Sequence, residues 1–331
     1  MSSPADVPTA VFGTAGLSTD GLWHAAFRSM ASPVRVQLGP DTADPAQLHD
    51  RIRALFAAVD QQCTRFDPAS DLMRANAAAD RWCPVGWFCF EALRAAHLAH
   101  LATDGRFDPR VLRTLVGLGY DTTLPFGDGG VDVGARPVVA PPGTREPWQP
   151  DFDETTRNVR VGAEPVDLGG IGKGLALRWA ADLLRVAGCD TYLIDAGGDC
   201  VYAGGPDGTG WRIGVEDPFG GDDPVAVLEV CDGACATSST RLVRWRADGR
   251  LVHHLIDPRT ARPGGAGLRA VTVRGPDPAA AEVWSKTLFL HGAERIATAA
   301  DAARLAALWV DEDGRIEMTA AMRPSVIWER G

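Results

Sequence analysis

The chain has 331 residues, 45% of them apolar and 23% charged, with a formal net charge of −10. That length builds one large or two ordinary domains, and the composition is that of a soluble globular protein. The acidic balance argues against general binding to nucleic acid or an anionic membrane, and no stretch reaches the ~18 apolar residues of a bilayer span.

Residues 1–22 read as a flexible tail rich in Ser, Pro, Ala and Gly, lacking the basic start and apolar run of a signal peptide. A cytoplasmic address is expected. Seven cysteines, an odd number without a C-x-x-C pair, point to reduced, packed thiols rather than disulfides or zinc. The alternation of Val34, Val36 and Leu38 predicts a strand, and Leu48, Ile52, Leu55, Phe56 and Val59 predict a helix from Asp44 to Gln62. In RFDPASDLMRAN a turn falls at Asp67-Pro68 and Ser70 caps a short helix. A further helix is predicted over Trp87–Ala102, with His97 and His100 at its surface or core edge. Thr103 to Val111 then repeats the tetrapeptide RFDP, read as a second helix-entry turn rather than an internal duplication. Tyr120 to Pro150, dense in Gly, Pro and Asp, reads as a long loop.

Pro165 to Gly205 carries the strongest local signal: strand, Gly-rich turn, helix, strand, Gly pair, strand. Gly169, Gly170, Gly172 and Gly174 permit unusual backbone conformations and close approaches at a helix start, where free N–H groups favour an anion. Lys173 adds a cation, although the spacing matches neither the Walker nor the dinucleotide pattern. Strand-like segments follow from Trp211 to Asp257, and RLVRWR (241–246) reads as a solvent-facing strand alternation rather than a basic patch. Strand RAVTVRG, helix PAAAEVWSKTLFLHG, a small helix near 294–303 and two last strands at about 305–311 and 315–319 complete the chain. Clustered strands with unevenly distributed helices predict an α+β fold with mainly antiparallel sheets.

Nine segments in order, SMASPVRV, RFDPASDLMRAN, TDGRFDP, VDLGGIGKG, DAGGD, GWRIGVEDP, ATSS, HHLIDPRTARP and AEVWSKTLFLHG, together resemble the ApbE-like family of FAD:protein FMN transferases. The resemblance spans roughly 23–318. It implies a single FAD-binding domain over 23–331, a two-lobed, T-fold-related architecture with the ligand between the lobes. It also implies transfer of FMN from FAD to a Thr or Ser hydroxyl of a flavoprotein partner, with release of AMP and usually with Mg²⁺. FAD hydrolysis by a pyrophosphatase and FAD binding without catalysis are the alternatives.

Transferred residue by residue, the resemblance makes His254 the general base. A neutral imidazole suits that work, and His253 beside it on a strand should face the other way. Asp257 either orients His254 or braces the Asp-Pro turn. Met30, Phe66, Asp167, Gly169, Gly170, Lys173, Gly197, Gly198, Thr237 and Ser238 are the candidate FAD contacts. For Asp167 the other reading is a turn brace, for Met30 and Phe66 the core, and for Thr237 and Ser238 an ordinary turn.

Five departures from the family pattern bear on chemistry. Its metal site uses an Asp, a Thr four residues later and the carbonyl corresponding to Gly170; here the first two positions are Glu282 and Lys286. A carboxylate still suits a hard cation, but an ammonium repels one. Lys286 is therefore expected to replace the cation, paired one helical turn away with Glu282, or else the metal binds elsewhere or not at all. Ala31, Ser239 and Ala261 stand where the family often has Gly, and each adds a Cβ near the expected ligand surface.

Overall fold

A computed structural model describes residues 15–17, 21–124, 131–134 and 146–331. Nine strands form one antiparallel sheet whose spatial order follows chain order. They are Gly16–Leu17, Trp23–Ser29, Ser32–Leu38, Tyr192–Ala196, Asp199–Ala203, Gly233–Ser239, Leu268–Gly275, Ala306–Asp311 and Ile316–Met318. Gly16–Leu17 falls within the expected tail, where it pairs with Trp23 and His24. Of the expected 120–150 loop, residues 125–130 and 135–145 lie outside the described residues; within it Asp132–Val133 forms a short strand parallel to Arg246–Ala247.

Helices α1 (Pro45–Cys63), α3 (Trp87–Ala102) and α5 (Gly172–Val186) cover one face of the first half of this sheet. Helix α1 begins where the sequence predicts: Asp44 accepts a hydrogen bond from Gln47 N at 3.2 Å and Pro45 fills the first turn. Its Leu48, Ile52, Phe56 and Val59 meet Val34, Val36 and Leu38 of the sheet in one core. Fully buried side chains such as Leu175, Leu177 and Leu184 of α5 each stabilise that core by ~1.5–3 kcal/mol. Short helices α2 (Asp71–Ala78, capped by Ser70) and α4 (Leu112–Gly117) follow the two RFDP turns.

Helix α6 (Pro278–Phe289, capped by Asp277) and α7 (Ile296–Ala302) pack on the second half of the sheet, against Ala236, Val271, Val273 and Trp309. The opposite face carries a three-stranded sheet of Trp211–Val215, Ala226–Val230 and Val326–Glu329, which buries Cys200, Tyr202 and Cys235. A smaller core joins α4 to the hairpin Arg244–Ala247 and Arg250–His253 through Val111, Leu115, Trp245 and Val252. The α+β class with antiparallel sheets is thus what the strand clustering predicts.

Two hairpin turns end the sheet on one side. Gly197 and Gly198 (φ 68° and 94°) join two strands whose last pair is Ala196 and Asp199, the mirror-image turn that strand twist favours. Met30 and Ala31 (φ 51° and 60°) make the neighbouring turn with side chains at both left-handed positions. Ala261 is left-handed too (φ 53°), so two of the three positions where the family favours Gly keep a glycine-type backbone. Ala31→Gly and Ala261→Gly are each expected to stabilise by about 0.5–1 kcal/mol, the left-handed penalty of ~1–2 kcal/mol less the greater chain entropy of Gly. A rise in urea midpoint at unchanged slope is the readout; an unmoved midpoint in both variants contradicts the strain.

Candidate functional site

The Gly-rich turn runs straight into α5: Gly172 N donates to Leu168 O at 2.9 Å, and Ile171, the residue before the helix, offers no side-chain cap. None of Gly169, Gly170, Gly172 and Gly174 has a left-handed φ, so close approach is their common purpose. A Cβ on Gly170 would lie 2.8 Å from Lys286 Nζ and 3.2 Å from Phe107 Cε2; one on Gly172 would lie 3.3 Å from Met30 Cε. On Gly174 it would lie 2.5 Å from Ala279 Cα and 2.6 Å from Pro278 O, so α5 and α6 touch backbone to backbone there.

Three carboxylates surround this turn, each already engaged. Asp167 accepts from Gly169 N (2.8 Å) and from buried Arg65 Nε (3.0 Å), which makes it a brace of the turn. Asp199, delivered by the Gly197–Gly198 hairpin, accepts from Thr237 N (3.0 Å) and pairs with Lys173 Nζ. Burial works against the charge of Lys173, but Asp199 and then Glu282 hold its pKa above the usual lysine value. Lys173, expected to neutralise phosphate, ties the start of α5 to the sheet through Asp199. Glu282 reaches from α6 to accept from Gly174 N at 2.8 Å, capping α5. Burial, then the negative charge of Asp199, push its carboxyl up to about 8, against Lys173, the Gly174 N–H and Lys286.

The expected Glu282–Lys286 pair does not form, because the free N–H of α5 takes the carboxylate instead. Half-buried Lys286 points at Gly170 with its ammonium 6.0 Å from the Phe107 ring centroid. Among the described residues no acceptor lies within hydrogen-bonding or ion-pairing distance of Nζ. Burial lowers its pKa, opposed by the more distant Asp167 and Glu282.

His254 stands in a bend just past the Arg250–His253 strand, where the sequence suggested the strand itself. Its Nδ1 lies 3.2 Å from Val243 O; a carbonyl only accepts, so Nδ1 carries the proton and Nε2 keeps its lone pair. Burial foremost, then Lys286, His253 and Lys173, push the imidazole down to about 3. His253 turns elsewhere, edge-on to Phe289, with Nδ1 accepting from Leu255 N at 3.3 Å.

Asp257 does not touch His254. It holds Arg259 (Nη2 2.9 Å), approaches Arg106 (4.0 Å) and accepts from Arg259 N, which makes it the brace of its turn. Thr237 and Ser238 bond to Thr272 and Ser285 hydroxyls, each at 2.9 Å. Phe66 is exposed rather than core: the Arg65 guanidinium lies against both its ring and that of Tyr120, at 4.2 and 4.1 Å from the centroids. His100 is a satisfied core histidine, with Nδ1 near Phe107 O and Nε2 accepting from Trp148 N, both at 3.0 Å.

Arg65, Phe107, Asp199 and Ser285 lie within the quoted segments but are not among the candidates that the sequence singles out. The repeated RFDP signals the first two: its first copy supplies Arg65 and Phe66, while the second supplies Phe107 and, through Pro109 O, a hydrogen bond to Asp167 N at 2.7 Å. For Mg²⁺ the donor set does not fit. Glu282 is engaged by Gly174 N, and an ammonium, which repels a cation, stands at Gly170.

A model of the ApbE family matches residues 30–309. The chain is 29% identical over 274 residues to an FAD:protein FMN transferase of Klebsiella pneumoniae, covering 78% of this chain and 75% of that one. It is 27% identical over 292 residues to one of Vibrio cholerae, covering 82% and 81%. Among solved structures, the ApbE protein of Thermotoga maritima has a TM-score of 0.77 at 25% identity, covering 94% of this chain and 100% of that one. Flavinyl transferase ApbE of Pseudomonas stutzeri shares the fold, with a TM-score of 0.76 at 24% identity and coverage of 92% and 96%.

Proposed function

Because this chain belongs to the ApbE family, we propose that it is an FAD:protein FMN transferase, moving FMN from FAD to a Thr or Ser hydroxyl of a flavoprotein partner. One observation carries the reading to chemistry: His254 presents an Nε2 lone pair that no described residue engages, in the field of Lys286 and Lys173. In the proposed step Nε2 takes the proton of the acceptor hydroxyl, whose oxygen attacks the FMN-side phosphorus. The new P–O bond forms as the bridging P–O bond breaks, and AMP leaves with that electron pair. Gly169, Gly170 and the α5 N-terminus are the proposed seat of the pyrophosphate, with Met30, Phe66, Thr237 and Ser238 along the nucleotide. Asp167, Lys173 and Asp257 hold the walls.

Seven free cysteines suit a reducing compartment, which supports a cytoplasmic address. Among the described residues no helix is long and apolar enough to cross a membrane.

Incubating the protein with FAD and a flavin-acceptor domain tests the reading. The expected result is in-gel flavin fluorescence on the acceptor, an acceptor mass raised by one FMN less water, and one AMP per flavin. AMP without labelled acceptor would replace transfer by hydrolysis, and intact FAD would reduce the protein to a flavin binder.

A further inference from the structure

We infer that the Lys286 ammonium is this protein's built-in cation for the FAD pyrophosphate, and that no divalent metal takes part in holding it. The inference rests on the site being an FAD site, as proposed above, and goes further by specifying how the anion's charge is met.

Geometry gives the first support. Lys286 leaves α6 and lays its stem along Gly170, where a Cβ would lie 3.1 Å from Cδ and 2.8 Å from Nζ. The ammonium therefore lies against the Gly-rich turn beside the start of α5. Phe107 closes the apolar side of the stem, its Cε2 3.2 Å from the same position.

Charge accounting gives the second. Each carboxylate around the turn has a nearer obligation: Asp167 to Arg65 and Gly169 N, Asp199 to Lys173 and Thr237 N, Glu282 to Gly174 N. Lys286 alone of the three cations is left without an anion among the described residues. A half-buried ammonium with no counter-ion is costly in itself, and a phosphate oxygen supplies what is missing.

The third is a mismatch with metal binding. Magnesium at a phosphate site takes one or two carboxylates beside waters and phosphate oxygens, whereas the three carboxylates around this turn are each bonded to a backbone N–H and a positive charge stands in contact with Gly170. Bringing Mg²⁺ to Gly170 would require expelling Lys286. An ammonium fixed on a helix needs no recruitment from solution, carries one charge instead of two, and presents up to three N–H donors to phosphate oxygens. In the transfer step it stabilises charge on the nonbridging oxygens while the proton goes to His254 and the bridging P–O electron pair goes to AMP.

The test is FAD binding by the intact protein, followed by flavin fluorescence in EDTA and in Mg²⁺, with Mn²⁺ electron paramagnetic resonance as a direct metal readout. Wild type should bind FAD equally in both buffers, and the free Mn²⁺ signal should persist when protein and FAD are added together. Lys286→Met should weaken FAD binding in EDTA by about 10–100-fold, the loss of one hydrogen bond from a charged donor. Lys286→Thr, which replaces the ammonium with an oxygen donor, should make FAD binding respond to Mg²⁺ and quench the Mn²⁺ signal. Tenfold weaker binding by wild type in EDTA, Mn²⁺ capture by wild type with FAD, or undiminished FAD affinity in Lys286→Met would each overturn the inference. Should the variants fail to fold, the two wild-type measurements decide it. Failure of the transferase reading is seen separately, as unlabelled acceptor despite metal-independent FAD binding.

Discussion

His254→Ala is expected to lower the rate of flavin transfer by about 10²–10⁴-fold while FAD affinity stays near that of wild type. The split follows from the proposed role: Nε2 serves the acceptor hydroxyl rather than the FAD seat. The pH dependence carries a sign. The base is competent when deprotonated, hence above its pKa, and in the free protein that lies at about 3, mainly because the ring is buried, with Lys286 and Lys173 adding to the depression. The kcat/KM of wild type should therefore show no acid limb between pH 5 and pH 8, the range in which an ordinary histidine would lose its base. Two phosphates entering beside the lysines offset their charge, so the pKa read from kcat should exceed the one read from kcat/KM. A His254→Ala variant that transfers flavin at the wild-type rate, or a kcat/KM limb near 6.5, contradicts the assignment.

Asp199→Ala should destabilise the fold by about 3–5 kcal/mol, the range for removing one partner of a buried ion pair. Asp199 is 2% exposed and holds both Lys173 and Thr237 N, so the substitution strands an ammonium and a backbone N–H together. Urea denaturation at neutral pH measures the loss. Adding Lys173→Met should recover much of it, because the double variant leaves no uncompensated charge. A loss below ~1 kcal/mol for Asp199→Ala would place the pair in the regime of solvent-screened surface ion pairs.

Local signals carried much of the fold. Asp44 with Pro45, Ser70, and Asp277 with Pro278 announce α1, α2 and α6 through capping chemistry that needs only neighbouring residues. Alternation at Val34, Val36 and Leu38 likewise marks a strand whose side chains all enter the core. Partner choice across the fold was not legible. The i,i+4 spacing of Glu282 and Lys286 invites an ion pair, but the uncapped start of α5 competes for the same carboxylate and takes it. Lys173 has the sequence context of a phosphate ligand, and only the hairpin at Gly197–Gly198 brings Asp199 within its reach. Arg65 shows the same limit: its salt bridge to Asp167 joins segments far apart in the chain, and only the repeated RFDP hints that the two belong to one wall.

The contact between Gly174 and the Pro278–Ala279 backbone fixes which parts of the molecule can adapt to ligand. With no room even for a methyl group between them, and with Glu282 bonded across the same crossing, the two helices cannot slide or hinge independently. The turn and Lys286 therefore behave as a single anvil. The small core of α4 and the Arg244–His253 hairpin, which leads into His254, stands outside that crossing, and adjustment to a bulky protein substrate is expected there.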